Sequence, residues 1–240
     1  MPAGPGARAT ACSPRARSGR CTTSLDPLPA GIELAQAYAN LAARRMMAAR
    51  HEEATEAAQR AQTIPAAQNA PDVISDALDT EAVSAFYLGR DWAGLMERAL
   101  RIALDQDLHA AAGRAYCNFY SLQCHQRRFA EGEWVYADGI VYCDERDITT
   151  YATFLRSERT KMLEQTGRWD EALALSQEIL DMPALAPATR VCPLNRTGTI
   201  EAAREAELAH EVPDPGDPWL AGALAAWLRR TGSSRVIPGH

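Results

Sequence analysis

Lysine is almost absent from this chain: it occurs once, at Lys161, while the other basic residues, 24 in number, are arginines. We read that bias as the imprint of GC-rich coding and attach no function to it. Long apolar runs are missing too. Polar residues interrupt each one within a few positions, as in Ala172-Leu173-Ala174-Leu175-Ser176-Gln177-Glu178, so nothing approaches the roughly 20 apolar residues of a helical membrane span. No proline falls between Pro71 and Pro183, and strand signals are scarce, which leaves helix as the expected state of the middle of the chain. The six cysteines include no C-x-x-C pair and no secretory apolar segment precedes them, so a reducing cytoplasm is the expected setting. Cys117 and Cys124 lie seven residues apart, about 10 Å by helical rise and too far for a bridge. They read as buried free thiols.

What is present divides unevenly. Residues 1–30 hold five prolines and Arg8, Arg15, Arg17 and Arg20 against Asp26 alone, a local charge of +3 that leaves −9 of the net −6 to the remainder. Without a helical hydrophobic period, this stretch is expected to be an unstructured arm. The acidic remainder disfavours binding to a phosphate backbone.

From 31 to 182 the text is helical and it repeats. Ala37-Tyr38-Ala39-Asn40-Leu41 and Ala115-Tyr116-Cys117-Asn118-Phe119 stand 78 residues apart, and turn signals at His51, Trp92, Phe129 and Trp169 follow at 41, 37 and 40 residues. A period near 39 belongs to stacked helix pairs, none of which buries its apolar face alone. The pairs are expected at Ile32–Arg50 with Glu52–Thr63, Val73–Leu88 with Ala93–Leu104, Ala111–Gln126 with Ala130–Cys143, and Tyr151–Thr166 with Asp170–Leu180. Gly89 is placed to end a helix in a left-handed turn, and Trp92 to pack back between helices. Pro65 and Pro71 mark an exit loop. Beyond Met182, Pro183, Pro187 and Pro193 interrupt the pattern, so 183–240 is expected to hold a degenerate repeat, a helix near Ile200–His210, a short apolar helix at Trp219–Arg229 and a polar tail. The prolines at that end, and the lack of polar capping units, suggest a piece of a longer protein.

Two phrases carry a resemblance. Ala37-Tyr38-Ala39-Asn40-Leu41-Ala42 and Gly167-Arg168-Trp169-Asp170-Glu171-Ala172 resemble the two halves of the tetratricopeptide consensus. More narrowly, Leu100-Arg101-Ile102-Ala103-Leu104, Ala115-Tyr116-Cys117-Asn118 and Gly139-Ile140-Val141-Tyr142-Cys143-Asp144 resemble the helical region of large bacterial regulators that join an ATPase module to a LuxR-type helix-turn-helix. The resemblance implies an all-α fold, a right-handed α-solenoid of about four tetratricopeptide-like hairpins over 31–182, and a role in coupling a signal to transcription. It does not extend to the chemistry at either end of such regulators. No G-x-x-x-x-G-K-[ST] loop occurs, and no recognition helix is discernible.

Candidate chemistry is thin. Cys124-His125 with Cys117 falls short of the convergent ligand set that zinc needs, so neither metal nor cofactor is expected. Glu52-Glu53 and Asp144-Glu145 point about 100° apart on a helix and cannot share a proton. Ser121 and His125 could touch, but no third group orients the histidine. Tyr116, Phe119, Tyr120, Trp134 and Tyr136 read as core between two helices. With Ala54, Gly132 and Ala172 taken as equivalent, the tetratricopeptide register implies that Arg114, Ser121, His125, Lys161 and Glu164 line a concave face. The expected function is therefore non-catalytic binding of a protein or peptide, with no membrane and no direct nucleic-acid contact. The alternatives are a regulator that touches DNA through the arginine arm, and an array accessory to an ATP-dependent signalling enzyme such as a nucleotide cyclase.

Overall fold

Alanine, leucine, glutamate, arginine and glutamine lose little on entering a helix, and they dominate 31–182. The computed structural model describes residues 30–182 and 193–201. Its elements are α1 (Ile32–Met47), α2 (His51–Thr63), a 3-10 turn (Pro65–Asn69), α3 (Pro71–Tyr87), α4 (Ala93–Asp105), α5 (His109–His125), α6 (Phe129–Asp144), α7 (Thr149–Gln165) and α8 (Trp169–Leu180). Residues 193–201 are helical as well, and no strand occurs among the described residues. These are the eight helices expected, and the four turn signals open the second helix of each pair: His51, Phe129 and Trp169 as first residues, Trp92 as the capping residue before α4.

The prolines act differently from expectation. Pro71 stands in the first turn of α3, and Pro193 is the first residue of the helical segment 193–201, so both start helices where loops were expected. A proline in the first turn forfeits only an N–H that would have had no partner, and its fixed φ suits a helix. All but the last residue of the arm expected at 1–30, the helix at Trp219–Arg229 and most of the helix expected at Ile200–His210 lie outside the described residues.

One turn geometry recurs at six helix ends. Ala49, Gly89, Asp107, Arg127, Asp147 and Gly167 each have φ between 52° and 75°. At each, the next N–H donates to a carbonyl five residues back: Arg50 to Arg45 at 2.9 Å, Arg90 to Ala85 at 2.8 Å, Leu108 to Ala103 at 2.8 Å, Arg128 to Gln123 at 3.0 Å, Ile148 to Cys143 at 2.9 Å and Arg168 to Leu163 at 2.8 Å. This is the Schellman closure, which satisfies carbonyls that the helix end would otherwise orphan. The turns inside pairs, at Ala49, Gly89, Arg127 and Gly167, follow at 40, 38 and 40 residues, and those between pairs, at Asp107 and Asp147, at 40.

Side chains after the turns also recur. An arginine follows every turn within a pair. Arg50, Arg128 and Arg168 reach forward to Glu53, Glu131 and Glu171, with Nε to Oε1 distances of 2.7, 3.2 and 2.7 Å. Ala93 leaves Arg90 without that carboxylate, and Arg90 pairs instead with Glu52 at 2.9 Å. A carboxylate in the first turn also suits the positive end of the helix dipole. The Glu131 carboxyl sits below its ordinary range because its own backbone N–H and then Arg128 stabilise the charge.

The chain divides into two compact units between Arg90 and Asp91, inside the turn expected to join the second pair. In the first unit α1, α2 and α3 pack on one another. Leu34, Ala35, Tyr38, Ala39 and Ala42 meet Ala57, Ala58, Ala61, Ile64, Val73 and Ala77 in its core, the alanines allowing close approach and the larger side chains filling the gaps. α3 is buried without a break from Ala77 to Ala85. Its Glu81 carboxylate accepts from Gln59 Nε2 at 2.7 Å and Gln62 Nε2 at 2.6 Å, which offsets the cost of burying the charge.

In the second unit α4 packs on α5, α5 on α6, α6 on α7 and α7 on α8, while α5 also lies against α7. First helices of successive pairs therefore touch, as α1 and α3 do in the first unit. Gly139 and Gly132 admit Tyr116 and Tyr120 at the α5–α6 crossing; a Cβ on Gly139 would stand 2.9 Å from Tyr116 Cγ. Trp92 lies edge-on to Phe119 at 5.7 Å, Phe119 edge-on to Trp134 at 5.6 Å, and Tyr120 against Tyr136 at 5.4 Å. Tyr116, Phe119, Tyr120 and Trp92 are core, but Trp134 is 47% exposed, so the aromatic stripe is only partly interior.

Candidate functional site

The packing of α5 on α7 creates a seam with a polar rim. Along α5, Arg114, Asn118, Ser121 and His125 stand at i, i+4, i+7 and i+11, one helix face. Along α7, Phe154, Glu158, Lys161 and Gln165 repeat that spacing 40 residues later. His125 and Phe154 are exposed, and the other six are half-buried. Beneath them Tyr120, Leu122, Cys124, Leu155, Met162 and Leu163 are buried.

Two contacts tie the rims together. Ser121 Oγ donates to Glu158 Oε2 at 3.2 Å. His125 Nδ1 lies 2.7 Å from the Ser121 carbonyl, and its Nε2 lies 3.4 Å from Lys161 Nζ. A carbonyl only accepts, so Nδ1 carries a proton and donates to it, while Nε2 faces the Lys161 amine. Ser121 and His125 do touch, as their spacing allows, but through the serine's backbone carbonyl. The serine hydroxyl is directed at Glu158, so the pair lacks the base-to-hydroxyl contact that activates a nucleophile. Cys124 is turned into the core, where burial pushes its thiol up to about 11.

Arg114, Ser121, His125 and Lys161 thus share the seam. Glu164 is elsewhere: it is buried, and it is ion-paired with Arg196 from the segment 193–201. Its carbonyl accepts from Trp169 Nε1 at 3.2 Å. One residue further on, Gln165 occupies the stripe, and a single residue turns a helix face by about 100°. Asn118, Phe154, Glu158 and Gln165 were not singled out from the sequence. The signal that finds them is the period itself, because each α7 position is its α5 counterpart plus 40.

At the far side of α7, Arg159 pairs with Glu133 of α6 and lies 4.8 Å over the Tyr136 ring. Arg156 pairs with Asp144 at 2.7 Å. These contacts pin α6 to α7 and face away from the seam rim. Among the described residues no helix is long and apolar enough to cross a membrane. No family model matches the chain, and comparison with curated proteins finds no relative of it.

Proposed function

We propose that the chain is a non-catalytic, tetratricopeptide-like interaction module whose pairs continue as a right-handed solenoid of about four hairpins, and that the α5–α7 seam receives an extended peptide segment of a partner protein. The supporting observation is the seam's composition: guanidinium, amide, hydroxyl, imidazole, amine and carboxylate groups on two touching first helices, beside an exposed Phe154. Such a surface offers backbone-directed hydrogen bonds and one apolar anchor, the requirements of peptide recognition. A connection to signal coupling in LuxR-type regulators rests on the sequence resemblance.

Because Lys161 carries the sole ε-amine, an amine-reactive ester reports on the seam directly. Peptides selected from a random display library are expected to slow acylation of Lys161, read by mass spectrometry, while acylation of the terminal amine is unchanged. Selected peptides that leave Lys161 acylation unaltered would remove the seam as the binding face.

A further inference from the structure

Glu158 and Lys161 are one turn apart on the same face of α7, a spacing at which opposite charges pair on most helices. Among the described residues they form no ion pair with each other or with another charged side chain. Each contacts α5 instead: Glu158 accepts from the Ser121 hydroxyl, and Lys161 faces the His125 imidazole. Neighbouring charges on α7 do pair with groups of α6 and of the segment 193–201, Arg156 with Asp144, Arg159 with Glu133 and Glu164 with Arg196. The seam face of α7 therefore keeps a separated positive and negative charge, both half-buried, one helical turn apart.

We propose that the seam reads charge order: it selects a peptide segment presenting an apolar, then a basic, then an acidic side chain against Phe154, Glu158 and Lys161. This rests on the peptide-binding reading above and sharpens it. Along α7 the three side chains are separated by about 6 Å and 4.5 Å of helical rise. Alternate residues of an extended peptide present side chains to one face about 6.6 Å apart, so the three positions match successive same-face residues once side-chain reach absorbs the remainder. Whichever way the peptide runs, the basic group lies between the other two. Ser121 and His125 hold the two charges in place before binding, which lowers the ordering cost on association.

Two labelled peptides test this on the full chain: one with leucine, arginine and aspartate at alternate positions, and one with the arginine and aspartate exchanged. Fluorescence anisotropy is expected to show the first binding about tenfold tighter, with the preference shrinking at high salt. The double exchange Glu158→Lys with Lys161→Glu is expected to invert the preference. The neutral pair Glu158→Gln with Lys161→Gln is expected to bind both peptides alike, and circular dichroism reports whether each variant keeps its helices. Equal affinity of the two peptides for the wild-type chain overturns the charge-order proposal and leaves peptide binding standing. So does a preference that survives the double exchange in a folded variant. Failure of both these peptides and library-selected ones to bind overturns the peptide-binding reading itself.

Discussion

Glycines in this chain do unlike jobs, and substituting them separates close approach from simple helix propensity. Gly139→Ala would drive a Cβ to 2.9 Å from Tyr116 Cγ in the α5–α6 crossing, and a cost of about 1–3 kcal/mol is expected. Gly94 in α4 has nothing within 4 Å of its Cβ position and no positive φ, so Gly94→Ala is expected to be neutral or stabilising by up to about 1 kcal/mol. Denaturant titration of the two variants checks the contrast. The buried thiols supply a second residue-scale expectation. Burial raises Cys124 and Cys143 from an ordinary 9.0 to about 11, so between those values the folded chain holds protons that the unfolded chain has released. The thiols' contribution to stability is therefore complete below pH 9 and is lost as pH rises toward 11. Melting temperatures measured from pH 8 to 11 are expected to fall, and less steeply when both residues are alanine.

At the scale of elements the six Schellman turns govern the architecture, and four of them place a non-glycine residue in the left-handed region. That region costs a Cβ-bearing residue roughly 1–2 kcal/mol. Arg127→Gly, at φ 57°, is expected to stabilise by about 0.5–1 kcal/mol net of glycine's greater unfolded-state entropy, whereas Gly167→Val, at φ 75°, is expected to destabilise by more than that. Thermal unfolding of the pair measures both signs. These turns explain how much could be read in advance. Gly89 and Gly167 announce themselves, because glycine is the residue expected there. Ala49, Arg127, Asp107 and Asp147 do not, and only recurrence of the flanking helices places them. The candidate seam is legible in the same partial way. Ser121, His125 and Lys161 follow from repeat register, but Glu164 is one residue off the stripe. Its burial depends on Arg196, a partner 32 residues downstream beyond three prolines that disguise where the next helix begins.

For the whole molecule, the described helices pack on near neighbours in the chain within each unit. Where contacts stay between near neighbours in the chain, stability is close to a sum of local terms. Leu78→Ala removes a fully buried side chain from α3 in the first unit at an expected cost of about 2–5 kcal/mol. Native-state hydrogen exchange is expected to show amides of 32–87 losing more protection than those of 109–180. Equal loss in both stretches would mean that the units unfold as one.

Helix positions, the roughly 40-residue period and the lack of strands among the described residues follow from the sequence alone, because propensity, turn chemistry and apolar spacing act over a few residues and recur along the chain. Which charges neutralise one another is decided only in the folded chain. Glu164 with Arg196, Glu158 beside Ser121 and Lys161 beside His125 are selected by how α5, α7 and the segment 193–201 lie against each other. An ion pair or hydrogen bond forms over about 3 Å, far less than the reach of any local sequence rule, so packing, not spacing along the chain, determines it.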